Sequence, residues 1–304
     1  MRKNNSSVLV LGSMAIDDVA TPSVQKKNLL GGSSSFASVA ASFFIEPRLV
    51  GIVGNDFPKK YIELFKKRKV DLRGLEIADG LTFRWSGIYE KNMNNRRTLS
   101  IALNVFEHFN PKLPTTYRET PYVLLGNIAP SLQLRVLEQM KKPAFIAADT
   151  MDLWIDTARA DLMKLLRKID LLILNDSEAL SLSGEPNLVR AARWLKKQGP
   201  RYVAIKKGEH GCFLSGSNEH FAVPAIPLEK VVDPTGAGDT FAGALVGYLA
   251  STGKTDFNSL KKAVVEGTIM ASFTVEDFSL NRLPHLSRSE HAKRKNLLRK
   301  LTQY

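Results

Sequence analysis

The run Asp233-Pro234-Thr235-Gly236-Ala237-Gly238-Asp239, followed by Thr240-Phe241-Ala242-Gly243-Ala244, sets two glycines and an aspartate at the opening of a long apolar segment. Glycines at a helix start let a ligand approach backbone N–H groups that have no partner within the helix. Those amides and the helix dipole make an anion site suited to a transferring phosphoryl group. Asp239, in the first turn, adds a carboxylate beside that site. There it can take a hydroxyl proton late in a loose phosphoryl-transfer transition state. A plain helix cap uses the same residue types, with glycine for the turn and aspartate for the dipole, and spacing alone does not separate the two.

Other candidate chemistry is weaker. Ser251-Thr252-Gly253-Lys254-Thr255 looks like the end of a P-loop, but the motif needs a glycine five places before Gly253, and Tyr248 stands there. It also follows a helical pattern rather than a strand, and reads as an interhelix turn. Cys212 is the single cysteine, so an intrachain disulfide is excluded, and its flanks, Gly211 and Phe213, suit core filler better than a nucleophile. His108, His210, His220, His285 and His291 form no i, i+4 pair and no H-E-x-x-H, which leaves a zinc site without support.

The elements that must position Asp239 are short. Apolar, β-rich runs at Val8 to Leu11, Arg48 to Val53, Tyr122 to Leu125, Phe145 to Ala148, Leu171 to Leu174 and Tyr202 to Ile205 read as buried strands. Helical periodicity over Phe57 to Arg68, Ser131 to Met140, Thr157 to Arg167 and Leu188 to Lys197 falls between most of them. That alternation predicts a mainly parallel sheet covered by helices on both faces. Leu81 to Phe106 reads instead as two strands about a polar turn, a hairpin insertion of the kind that makes a lid. A β-rich patch at Gly211 to Val223 precedes two long helical patterns, Gly236 to Ser251 and Asn258 to Thr274.

Composition narrows the class. The 304 residues are 44% hydrophobic and 24% charged, a profile that excludes disorder and collagen. The longest apolar runs fall far short of the roughly 20 residues of a membrane span. The first seven residues lead into only four apolar ones, so no secretory signal is expected and a cytoplasmic location is. The net charge of +13 suggests an anionic partner at first sight. Its distribution argues otherwise, because Arg282 to Tyr304 carries +6 and Lys59 to Arg73 carries +5 while the rest is near neutral.

Asp233-Pro-Thr-Gly-Ala-Gly-Asp-Thr-Phe-Ala-Gly-Ala resembles the C-terminal signature of the ribokinase-like (PfkB) carbohydrate kinase family. Further similarities occur in order: Gly12-Ser13-Met14-Ala15-Ile16-Asp17, Gly31-Gly32-Ser33, Asn175-Asp176-Ser177-Glu178 and Lys207-Gly208-Glu209-His210-Gly211. The likeness runs from about Val8 to Phe278. It implies a three-layer αβα sandwich with a mainly parallel central sheet, a single domain over 1–304. A small β-sheet lid would come from about 17–30 and 81–106, with 282–304 left as a basic C-terminal tail.

The resemblance also assigns roles. It implies that Asp239 is the catalytic base and that Gly236, Ala237 and Gly238 form the anion hole. Asp17, Gly31, Gly32, Ser33, Phe36 and Asn127 would bind the substrate, Asp17 by accepting hydrogen bonds from its hydroxyls. Asn175, Glu178, Lys206, Gly208, Glu209, Gly211 and Gly238 would bind ATP. Asn175 and Glu178 would organise magnesium through water, although a capping box needs the same pair. Asp233 and Thr235 resemble positions that in many members hold a monovalent cation, which would be potassium. Lys206 stands where the family usually has a hydroxyl residue; it and Lys207 either add phosphate affinity or lie at the surface.

The resemblance implies an ATP-dependent transfer of the γ-phosphoryl group to a hydroxymethyl group of a sugar or sugar derivative, with a nucleoside as the alternative acceptor. Ala15, Phe36 and Ala129 stand at pocket positions that are polar in members using ribose, which argues against a simple ribokinase. Phe36, Trp85 and Tyr89 either wall a nucleobase or a sugar face, or pack the lid on the core. Arg84, Arg96 and Arg97 either meet a phosphorylated sugar or are solvated lid charges. The lid would also offer a homodimer surface. A reading of another class is a non-catalytic nucleotide- or sugar-binding protein that uses its basic tail on an acidic partner. The intact Gly-Ala-Gly-Asp and Asn-x-x-Glu elements favour the enzyme, and neither nucleic acid nor a membrane is expected as a partner.

Overall fold

The computed structural model describes residues 7–93 and 96–303. Its strands are β1 (Val8–Leu11), β2 (Ala15–Ala20), β3 (Gln25–Gly31), β4 (Pro47–Gly54), β5 (Asp71–Ala78), β6 (Arg84–Tyr89), β7 (Arg96–Ala102), β8 (Tyr122–Leu125), β9 (Phe145–Asp149), β10 (Leu171–Asn175), β11 (Tyr202–Lys206), β12 (Cys212–Ser215) and β13 (His220–Val223). Its helices are α1 (Ser33–Ala41), α2 (Lys59–Lys67), α3 (Pro130–Gln139), α4 (Asp152–Thr157), α5 (Arg159–Leu166), α6 (Asp176–Ser183), α7 (Leu188–Lys197), α8 (Ala237–Thr252), α9 (Phe257–Thr274) and α10 (Arg288–Leu301).

Nine strands form one sheet in the order β13-β12-β11-β10-β9-β8-β1-β4-β5. Pairing is parallel from β11 through to β5, and antiparallel where β12 and β13 are added at one side. Alternation along the strands splits the core into two layers, as a sheet covered on both faces requires. Val8 and Val10 of β1 join the layer under α1, α8 and α9, while Leu9 and Leu11 join the layer under α3, α5 and α7. The alternating sandwich read from the sequence is the architecture observed. β5 was not anticipated; it pairs in parallel with β4 after α2.

α8 packs on α1 at backbone distance, since a Cβ on Gly243 would fall 2.2 Å from the Ala37 carbonyl oxygen. This contact fixes where the α8 N-terminus points. The second sheet has the order β3-β2-β6-β7, and its strands correspond to the expected lid segments.

The basic tail is a folded part of the protein. Ser287 and Glu290 form a capping box at the start of α10, and Leu298 is buried against the core. Arg294 lies 3.7 Å from the Phe273 ring centroid and donates to Glu276 at 2.6 Å, while Arg282 pairs with Glu276 and Glu290. Arg288 lies over the Phe43 ring, and Lys295 and His291 both meet the buried carboxylate of Glu266. Four of the tail's basic side chains, Arg282, Arg288, Arg294 and Lys295, thus have partners within the protein. Among the described residues, no helix is long and apolar enough to cross a membrane.

Candidate active site

Parallel strands end on one side of the main sheet, and the candidate residues gather there, as expected for ligand sites in open α/β sheets. Gly236 caps α8 with φ +77°, a left-handed conformation that favours glycine. A Cβ at that position would also fall 2.4 Å from the Phe36 ring. Phe36 itself is 1% exposed and packs beneath the helix start.

The Ala237 N–H donates to the Pro234 carbonyl at 3.2 Å, whereas the N–H groups of Gly238 and Asp239 meet no backbone carbonyl among the described residues. The Gly236 N–H likewise meets none, so of the three amides that the resemblance implies for the anion hole only that of Ala237 has a backbone partner, and the Asp239 N–H joins the open set. Asp239 is half-buried. Burial, followed by the nearby Asp149 carboxylate, raises its pKa to about 6, against the pull of Lys206 and Arg96. At neutral pH such a group is mostly ionised yet ready to accept a proton.

Asp17, on β2 of the lid sheet, is 5% exposed. Burial and the neighbouring carboxylates of Asp233 and Asp239 raise its pKa to about 8. Its Oδ1 is buried without a hydrogen-bond partner. A carboxyl oxygen in that state is costly unless a ligand supplies a donor. The backbone of Gly31 comes so near that a Cβ there would fall 1.9 Å from Asp17 Oδ2. Ser33 and Ser13 bond each other's backbone N–H through their hydroxyls, both at 3.1 Å, which ties the start of α1 to the end of β1. Asn127, after β8, accepts from Trp154 Nε1 at 2.8 Å, and its amide nitrogen faces Met151 Sδ at 3.1 Å.

On the other side of Gly238 lies a cavity of about 510 Å³. Gly208, Glu209 and Gly211 line one wall, Ala237 and Phe241 another, and Asn92 and Met93 from the turn after β6 reach its rim. Its size and largely apolar walls suit a nucleotide base and ribose. Lys206 enters the same cavity, and its Nζ lies 3.0 Å from Asp149 Oδ2. Asn175 and Glu178 form the complete capping box of α6. Glu178 Oε2 accepts from the Asn175 N–H at 2.7 Å, and burial raises the Glu178 pKa to about 7. Asp233 is fully buried, with Oδ1 accepting from the Thr235 N–H at 2.9 Å and Oδ2 from the Ser279 N–H at 3.2 Å. No cluster of three acidic, histidine or cysteine side chains suited to a metal occurs among the described residues.

The lid aromatics Trp85 and Tyr89 make contacts within the protein. Trp85 Nε1 donates to Thr98 at 3.2 Å, and the Arg96 guanidinium lies 5.8 Å from its ring centroid. Tyr89 is 5% exposed and accepts from the Thr235 hydroxyl at 3.1 Å, joining the lid to the loop before α8. Arg84 is committed to Asp56 and Asn28, each at 3.2 Å. Arg96 is near enough for its charge to lower the pKa values of Asp17 and Asp239 slightly. Asp149 was not singled out from the sequence; the available signal was an acidic residue directly ending a buried strand.

This arrangement, a helix N-terminus open to an anion between a nucleotide-sized cavity and an unsatisfied carboxylate, is one that small-molecule kinases use. Residues 6–285 match the model of the pfkB family carbohydrate kinases. Cytidine kinase of Thermococcus kodakarensis is 30% identical over 253 residues, covering 79% of this chain and 88% of that protein. A structure of Burkholderia thailandensis nucleoside kinase in complex with inosine superposes with a TM-score of 0.80 at 17% identity, covering 96% of this chain and 98% of the other. A putative ribokinase II from E. coli in complex with ATP and Mg2+ superposes with a TM-score of 0.76 at 18% identity, covering 97% and 99%. The chain belongs to the pfkB family and is a carbohydrate or nucleoside kinase.

Proposed function

We propose that this kinase moves the γ-phosphoryl group of ATP to the hydroxymethyl group of a nucleoside, with Asp239 as base. The observation that carries the reading is the half-buried Asp239 carboxylate at the open start of α8, next to the cavity at Gly238 and within the field of Asp17. The likeness to a cytidine kinase over most of both chains supports a nucleoside over a free sugar. Asp17 Oδ1 has the unmet acceptor capacity that sugar hydroxyls would fill. As the acceptor oxygen bonds to phosphorus, the bond to the bridging oxygen breaks and ADP leaves with its electron pair. The hydroxyl proton passes to Asp239. The Gly238 and Asp239 N–H groups, with the α8 dipole, meet the charge on the transferring group.

Magnesium, when bound, would offset the phosphate charge. Such ions are held mostly by phosphates and water, and do not need the carboxylate cluster that is missing among the described residues. Glu178 Oε1, the oxygen that the capping box leaves over, suits a water ligand of the ion; Asn175 Oδ1 already accepts from Ser177 and Glu178, each at 2.7 Å. A potassium ion near Asp233 would share oxygens that already accept one backbone N–H each. A second copy of the chain would dock on the lid, where β7 is exposed throughout and presents Leu99 and Ile101.

The test is ADP release by the purified protein with nucleosides, sugars and sugar phosphates, with and without potassium. Turnover that requires a nucleoside is expected. Turnover with sugars alone would overturn the acceptor class.

A further inference from the structure

Lys206 and Asp149 end strands β11 and β9, with β10 between them. The Lys206 ammonium reaches across to lie 3.0 Å from Asp149 Oδ2 and 3.2 Å from Oδ1. The pair is largely withdrawn from water, with side-chain exposures of 19% for Lys206 and 4% for Asp149. Withdrawing both charges and fixing a long side chain is costly, so stability alone is a poor reason for the pair.

Its position points to a use. A Cβ on residue 238 would fall 3.0 Å from Lys206 Nζ, so the ammonium lies against Gly238, whose N–H opens the start of α8. The carboxylates of Asp149, Glu178 and Asp239 hold Lys206 charged against burial. The Asp149 carboxylate bonds Lys206 and the Thr150 N–H.

We propose that Lys206 is a catalytic residue that contacts the γ-phosphoryl group during transfer, and that Asp149 is the positioning residue that aims its ammonium at the start of α8. The inference rests on the phosphotransfer reading of the site. Bond changes are those given above. Lys206 keeps its proton, and its charge balances the phosphoryl oxygens while the acceptor's proton goes to Asp239.

The experiment combines turnover, pH profiles and nucleotide binding. K206M is expected to lower kcat by about 10²- to 10³-fold, the usual loss for a donor aimed at developing charge. The acceptor KM should stay within about threefold, since the contact belongs to the transition state. Removing the cation moves the acid limb of the kcat profile to higher pH. D149N removes a negative neighbour of Asp239 and moves that limb to lower pH, with kcat down about tenfold through misplacement. The double variant K206M/D149N leaves no unpaired charge, so it should keep the wild-type Tm while showing the K206M rate. A K206M or double-variant kcat within about threefold of wild type would overturn the catalytic role, and an unmoved limb in D149N would overturn the positioning role. A binding arm needs no acceptor: K206M should weaken AMP-PNP about tenfold more than ADP, and equal weakening counts against the phosphoryl contact. If wild type binds AMP-PNP in this way but turns over no nucleoside, the acceptor class fails and the Lys206 contact stands.

Discussion

Gly31 pairs with Ala15 across β2 and β3, yet the Asp17 side chain reaches it so closely that a Cβ at residue 31 would fall 1.9 Å from the aspartate's Oδ2. G31A must therefore push the carboxyl group out of place. With Asp17 binding the acceptor, kcat/KM for the acceptor is expected to fall about 10²-fold, as misplacement by about an ångström commonly costs. Nucleotide affinity should be unchanged. Steady-state kinetics with calorimetric binding of ADP checks both.

D239N removes the base while keeping shape and hydrogen-bonding groups. Its kcat is expected to drop by about 10²- to 10⁴-fold, the usual contribution of a positioned general base, with nucleotide still bound. In the wild type, Asp239 must be ionised to accept the proton. Its pKa, raised to about 6, predicts activity that rises with pH through that value. A kcat profile flat from pH 5 to 7, or normal turnover by D239N, contradicts the assignment.

Asp17 makes stability depend on pH. Its folded pKa, about 8, lies above the ordinary 3.8, so the folded protein holds a proton that the unfolded chain gives up. The stabilisation from that proton is full below the unfolded value and is lost as pH rises through the folded one. D17N carries no such loss. Its Tm is expected to exceed that of the wild type by about 3 °C at pH 8.5, with the gap closing as pH falls toward 4. Calorimetric scans across that range provide the check.

R294A removes a guanidinium that lies 3.7 Å from the Phe273 ring centroid and donates to Glu276. Loss of that stacked, charge-assisted contact is expected to cost about 1–2 kcal/mol in denaturant unfolding. Affinity for DNA or RNA should not change. A stability within error of wild type, with weakened polyanion binding, would return α10 to the role of a charged appendage.

The six core strands could be read ahead of the structure because each is built on a short apolar run, as burial on both faces of a sheet requires. α7 occupies the same residues, Leu188–Lys197, that its amphipathic pattern marks. β5 was hidden because Arg73, Gly74 and Glu76 interrupt it and Ile77 is 65% exposed, as befits a strand at the sheet's border. The glycines at the start of α8 were readable, but the loss of the Ala237 amide to the Pro234 carbonyl depends on the turn that precedes the helix. Asp149 gained meaning only when β9 and β11 flanked β10, a neighbourhood that no local spacing encodes. The fate of the tail's charge likewise depended on Glu266 and Glu276 lying beneath it.

The hairpin strands and the turn after β6 serve two compartments at once. Arg96 of β7 acts on Asp17 and Asp239, while Asn92 and Met93 border the cavity beyond Gly238. Free energy used to settle this one segment is therefore shared by whatever binds on either side. By thermodynamic reciprocity, the factor by which one ligand tightens the other's binding must equal the factor in return.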